Sequence, residues 1–594
     1  MSHFPDRLNA RWSIIVVLAL LACCTCSFAS EHVAAELAER ATVAIRAGDL
    51  TSGISLLQEA IESDKNRERL ETIGAGTTLT PSALAHGREQ FQQMARDRPK
   101  LLERSGTDGF DVLTDWVTTR LAGQGYKFVV YWDNTRPSDQ EFGHVADSRP
   151  PYGNERAIIR ISDVYPSGPQ AGQQLTSEKL WVALVYELLN LSNAEGFQRA
   201  YYRTLEGKLS RTDFVTEFFR LEHRAVQLTQ EFYATVYLPW AQTSQAKTDP
   251  TQWYVSSSFW WQAADETLDG FAFDSGYPWG DYGTQFDRVR RQASALPRMS
   301  ALQDGSLRPS QHASQAVTAL HRGDNEAGLS HLLEGIALRR KRSGREEFES
   351  TPPVVSASAL SHGQQQFERL SADRPVFLQH SGKDGFDRLR DWAVHRFAGN
   401  GTDMMVNWDD AEPVTVALGH IAEHTVSDGR TRGSLRIARI HRTGTSTGQP
   451  LSFDAAWSSL VFELLNLSNV SEFNRLERSV LHGRLSRADY VTEMFKLEYR
   501  AVELTQEFYA NHFLPWAIRA GIPSSPESWY LTGDVWWTSA EEALDLYPFS
   551  RSYPWGYYGR VFDSIRNSPG AHPRNSSQKR GVATIGANPL SRGD

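Results

Sequence analysis

Trp181–Trp240 begins WVALVYELLNLSN and ends LSRTDFVTEFFRLEHRAVQLTQEFYATVYLPW; Trp457–Trp516 begins WSSLVFELLNLSN and ends LSRADYVTEMFKLEYRAVELTQEFYANHFLPW. About six positions in ten agree, without a gap, at one constant offset. The match runs outward from both ends. His86-Gly87 pairs with His362-Gly363, Asp97-Arg98-Pro99 with Asp373-Arg374-Pro375, and Gly109-Phe110-Asp111 with Gly385-Phe386-Asp387. Downstream, Trp253-Tyr254 answers Trp529-Tyr530 and Tyr277-Pro278-Trp279 answers Tyr553-Pro554-Trp555. The chain therefore reads as one unit written twice.

Within each copy the apolar period changes. Residues 82–103 and 108–121 carry helical spacing, while 127–132 and 157–161 are short β-rich runs bounded by turn residues. Residues 404–408 and 434–440 repeat those strands. Two helices follow, over about 177–193 and 211–237, the second opened by a Ser210-x-x-Asp213 capping box that recurs as Ser486-x-x-Asp489. This order predicts a predominantly helical α+β class, with a small sheet packed on long helices. Ahead of each copy, 41–60 and 315–336 show two amphipathic helices around a Gly-Asp break, a helical hairpin that resembles a single tetratricopeptide repeat. The expected boundaries are a leader over 1–29, hairpins over 30–71 and 308–345, α+β domains over 80–296 and 354–567, and a disordered polar tail over 568–594.

The N-terminus sets the compartment. Arg7 and Arg11 precede an apolar run from Ile14 to Cys24, and small residues lead to Ala29, the pattern of a secretory signal peptide. Leu20-Leu21-Ala22-Cys23 also resembles a lipobox, so a lipid anchor on Cys23 is the second reading. A secreted or periplasmic protein is expected, without a membrane span. Cys23, Cys24 and Cys26 are the only cysteines, and cleavage after Ala29 removes them. Thiol chemistry and disulfides are thereby excluded from the mature chain. A formal charge of −9 over 594 residues offers no basic surface for nucleic acid.

Candidate chemistry sits on the two long helices. Glu187 lies among Leu184, Val185, Leu188 and Leu189, and Glu222 falls inside the apolar arc of Phe218, Phe219, Ala225 and Val226. Glu463 and Glu498 repeat them. A carboxylate on an apolar face needs a partner or a proton; the Asn190 amide for Glu187, and Arg224 or a buried tyrosine for Glu222, are the nearest partners in reach. Strands, a helix with a central glutamate, then a helix with a second glutamate resemble the zincin fold of the gluzincin metallopeptidases. That resemblance implies that Glu187 and Glu463 are the catalytic bases and that Glu222 and Glu498 are the third ligands. The two ligand histidines of the family are replaced by Tyr186 and Asn190, and by Phe462 and Asn466. Phenylalanine cannot ligate and asparagine binds zinc poorly, so no metal site and no cofactor are expected. His144 and His420, each followed two residues on by Ala and then an acidic residue, are further binding candidates, together with Asn190 and Asn466.

Two functions remain open. One is a non-catalytic binding or scaffold protein built on degenerate peptidase-like domains, with an unknown protein, peptide or glycan as partner. The other is a hydrolase that uses the glutamate pairs with a non-standard or absent metal. The aromatic segments around Trp253, Trp260, Trp261 and Trp279, and their repeats, fit either a sugar- or peptide-facing surface or a thick core.

Overall fold

A computed structural model describes residues 33–64, 79–106, 109–122, 127–133, 146–149, 157–162, 164–165, 170–295, 307–342, 356–381, 385–398, 403–409, 422–426, 432–440 and 448–568. The expected leader, the Cys23 anchor, His144, His420 and the tail from 569 onward lie outside the described residues. The chain divides into two compact units. Of the described residues, 33–271 and 275–293 form the first and 272–274 and 294–568 the second. Each is predominantly helical with a small sheet.

The first unit opens with helix α1 (residues 33–46) and α2 (Leu50–Ser63). Asp49 caps α2 by accepting from the Ser52 amide, and Gly53 lets Ile45 close on the crossing, since a Cβ there would meet its Cγ1 at 2.4 Å. Then come α3 (Pro81–Ala95), α4 (Arg98–Ser105) and α5 (Thr114–Leu121). The expected single helix over 82–103 is thus two. Arg98-Pro99 opens α4 instead, because proline at a helix start lacks only an N–H that has no partner there. The helix expected from Asp108 likewise begins as a 3₁₀ turn, Phe110–Leu113.

Strands β1 (Phe128–Asp133), β2 (Ala146–Arg149) and β3 (Ala157–Ser162) form a sheet in the order β1-β3-β2. β1 runs parallel to β3, from Phe128 opposite Ala157 to Asp133 opposite Ser162. β2 is antiparallel on the other side of β3. Helix α6 (Ser177–Ser192) packs on β2 and β3 and against α8 (Arg211–Phe232), with α7 (Ala194–Leu205) between them in sequence. α6 is apolar nearly all round because it is buried nearly all round. Thr176 caps it by accepting from the Lys179 amide at 3.2 Å. Ser210 caps α8 in the same way, but Asp213 bonds the Ser210 hydroxyl, so only half of the expected reciprocal box forms.

The last turn of that helix widens into a π segment, Tyr233–Tyr237, before α9 (Leu238–Ser244). This turn aims Trp240 at Gly109, where a Cβ would meet the ring at 3.2 Å. α10 (Ala264–Asp269) and α11 (Trp279–Ala295) complete the unit.

The second unit has the same order: α12 (Pro309–His321), α13 (Asn325–Arg342), α14 (Ala357–Ala372), α15 (Arg374–Ser381), α16 (Arg390–Phe397), β4 (Asp403–Asp409), β5 (Ala422–Val426), β6 (Arg432–Ala438), α17 (Phe453–Ser468), α18 (Val470–Leu481), α19 (Arg487–Phe508), α20 (Leu514–Ala520), α21 (Ala540–Asp545) and α22 (Trp555–Arg566). Its sheet is ordered β4-β6-β5, and a π segment, Tyr509–Phe513, follows α19. The hairpin α12–α13 docks on its own domain through Arg339, which bonds Gln506, lies 3.5 Å from Glu503 and stacks 5.1 Å over the Trp537 ring. Among the described residues no helix is long and apolar enough to cross a membrane.

Candidate functional site

α6 carries Glu187 and α8 carries Glu222, and the packing of the two helices turns both carboxyls toward one group of tyrosines. Glu222 accepts from the Tyr277 hydroxyl at 2.6 Å and from Tyr282. Tyr277 precedes α11 and Tyr282 lies in its first turn, so a third element closes over the glutamate. Burial is the largest influence on Glu222 and raises its carboxyl above the ordinary value, against the two phenols that stabilise the charged form. Part of its surface nonetheless remains open. The phenols of Tyr277 and Tyr282 are held well above their usual range, first by burial and then by the Glu222 charge.

Tyr254 lies beside both glutamates. Burial, then Glu187, then Glu222 push its hydroxyl upward. Its backbone is left-handed, with φ +60°, a conformation that costs a bulky residue on the order of 1 kcal/mol. Two contacts hold it there. Gln230 of α8 donates its side-chain amide to the Tyr254 carbonyl at 2.7 Å. The neighbouring Trp253 indole donates to Glu178 at 2.7 Å, and Glu178 also accepts from the Asp249 amide at 2.8 Å.

The second unit repeats the arrangement with one phenol exchanged: Phe462 stands for Tyr186, while Tyr547, raised by burial and then by the Glu498 charge, stands for Phe271. Glu498 accepts from Tyr553 at 2.6 Å and from Tyr558. Tyr530 is left-handed at φ +60°, its carbonyl bonded by Gln506 at 2.6 Å, and its hydroxyl is raised by burial, Glu463 and Glu498. The residue answering Tyr282 is therefore Tyr558, at the same offset that relates Tyr277 to Tyr553.

Of the four positions at which the zincin family has histidines, Tyr186 and Asn466 are buried and Asn190 and Phe462 partly so. Tyr186 lies 5.9 Å from the Tyr254 ring and is bonded by Asn190; Phe462 lies 5.6 Å from Tyr530. Asn466 donates to Glu463 at 3.5 Å, the partnership that helical spacing suggests, and its counterpart Asn190 bonds Tyr186. Of the two partners considered for Glu222, it is tyrosine and not Arg224 that bonds it. The aromatic segments are core: Trp253, Trp261 and Trp279 are at most 1% exposed, as are Trp529 and Trp555, which leaves them no face for a sugar.

Sequence reasoning found the glutamates and offered a buried tyrosine for Glu222, but not which tyrosine. The missed signal was available: Tyr277 follows Glu222, and Tyr553 follows Glu498, by the same 55 residues. Set against known proteins, the chain matches no family model, no curated protein and no solved structure.

Proposed function

We propose that the protein is an exported, internally duplicated binding protein without peptidase chemistry, and that its ligand-facing features are the tyrosine-ringed glutamates Glu222 and Glu498. One observation carries this reading. In each unit two phenols donate to the glutamate, at 2.6 Å for Tyr277 and for Tyr553, so about two of a carboxylate's roughly four acceptor sites already point at phenols. A metal ligand or general base needs a lone pair directed at metal or substrate. The zincin resemblance remains a proposal about ancestry, supported by the order of strands, Glu187 helix and Glu222 helix.

The ligand class follows from the same groups. A partly buried glutamate whose carboxyl sits among phenol rings suits an organic cation, because the rings present negative faces and the cation restores the charge that burial disfavours. Lysine-type or methylated amines on a protein or peptide partner have this chemistry. The measurement is calorimetric titration of the full chain with a lysine peptide and with tetramethylammonium. Binding is expected to the wild type and to weaken at least about tenfold in the Glu222→Gln, Glu498→Gln double variant. No binding of either cation would sink the ligand class. Peptide hydrolysis by the wild type that the Glu187→Gln, Glu463→Gln variant lacks would overturn the non-catalytic reading and favour the hydrolase.

A further inference from the structure

The hairpin α12–α13 holds a group that the domain chemistry does not use. Nδ1 of His312, on α12, lies 3.4 Å from Nδ1 of His331 and 3.5 Å from a carboxylate oxygen of Glu334, both on α13. All three atoms fall within 4.8 Å of one another. His331 and Glu334 are three residues apart, so both project from one face of their helix. His312 reaches them because α13 has Gly335 at the crossing: a Cβ there would stand 3.2 Å from the His312 Cβ.

Hydrogen bonding accounts poorly for this convergence. A ring nitrogen carries one hydrogen or one lone pair, and the His312 Nδ1 faces two acceptor-capable atoms at once. A metal accounts for both contacts. A tetrahedral ion with bonds of about 2.0–2.1 Å separates its ligands by about 3.3–3.4 Å, which matches the 3.4 and 3.5 Å found. The burial fits as well, with the His312 side chain 7% exposed and that of Glu334 60% exposed, so water can reach a fourth position.

We propose that His312, His331 and Glu334 bind a divalent first-row transition ion, zinc being the best match to two imidazoles and a carboxylate. The ion clamps α12 to α13. Nothing in this depends on the glutamate–tyrosine clusters. The other hairpin is a built-in control: with Gly53 and Gly328 in register under Ile45 and Leu320, the three ligand positions correspond to Leu37, Leu56 and Glu59, and Gly335 to Ala60. The site therefore belongs to the second unit alone.

The test uses the full chain, purified without a histidine tag, stripped with chelator and dialysed against zinc chloride or cobalt chloride. The wild type is expected to retain about one zinc per chain and to give the visible absorption of tetrahedral cobalt. His331→Leu, which installs the residue that the first hairpin carries, is expected to keep its circular dichroism and to weaken zinc binding at least about tenfold. Glu334→Gln, on an exposed residue that cannot unfold the hairpin, is expected to weaken it by a similar factor. A wild type that retains no zinc overturns the proposal, and so does zinc retained with equal affinity by both variants.

Discussion

Glu222 is a carboxyl that its surroundings push toward the neutral form while two phenols hold the charged one. The sign of its pH dependence follows. A folded-state pKa raised above the usual 4.5 gives a contribution that is whole below that value and is lost as pH rises through the folded pKa. Glu222→Gln is therefore expected to flatten the fall in stability above pH 4.5, read as melting temperature against pH in both proteins. Tyr277→Phe removes a bond to a charged acceptor and is expected to cost about 1.5–3 kcal/mol in denaturant unfolding at neutral pH. Lys179 has the opposite sense. It is 2% exposed, and burial lowers it from 10.5 to about 8. The folded chain then binds fewer protons than the unfolded one between those values, so stability gains with pH across that window. Lys179→Met is expected to be more stable than the wild type at pH 7, by up to about 3 kcal/mol, and the difference is expected to vanish by pH 10.5. An unchanged difference across that range would show that Lys179 is not desolvated. The glutamates were legible residue by residue, because helical spacing places a charge on an apolar face unambiguously. Their partners were not, because Tyr277 arrives from irregular chain, where no period links it to α8.

Long helices announce themselves through repeated apolar spacing, which is why α6 and α8 stand where the sequence puts them. β2 escaped because Ala-Asp-Ser-Arg has neither alternation nor β-branched residues; it is a strand only because β3 offers it a ladder. α7 escaped because it follows α6 after a single residue, Asn193, whose amide bonds the Leu221 carbonyl on α8 and turns the chain. Docking of the second hairpin was expected in general, since one helical pair cannot cover its own apolar face, but its means were not. Arg339 is 3% exposed and meets Glu503, where the first unit has Gln227. Arg339→Met would take one cation from the buried Glu503 carboxylate, which also lies 3.3 Å from Arg500. The expected loss is about 3–5 kcal/mol, and restoring neutrality with Glu503→Gln should recover part of it in a double-mutant cycle. Additive losses would mean that the two side chains act independently.

At the scale of the whole chain, the two units share an order of elements and a glutamate–tyrosine cluster, yet they differ in the features that charge and metal chemistry care about. The first has Tyr186, Phe271 and the buried Lys179 where the second has Phe462, Tyr547 and Ala455, and the second adds the Arg339 pair and the histidine cluster. Export, the ligand class and the zinc site are accordingly questions for separate experiments, and the zinc titration bears on the second unit only. The π turn at Tyr233–Tyr237 has a consequence for the ancestry of the fold. Such a turn is one residue longer than the α-helix it interrupts, so it can be made or unmade by a single codon. Deleting Ala234 would therefore restore an unbroken α-helix with the residues on either side still in register, leaving Trp240 aimed at Gly109, whereas deleting Leu228 from the regular α-helix would swing everything beyond it by about 100° and carry the ring out of the slot that a glycine leaves open. The Ala234 deletion is expected to keep its cooperative melt and the Leu228 deletion to lose it; equal loss in both would show that the π turn does not carry the surplus residue. The surplus residue is thus stored inside one turn, and the helix on either side points as it would without it.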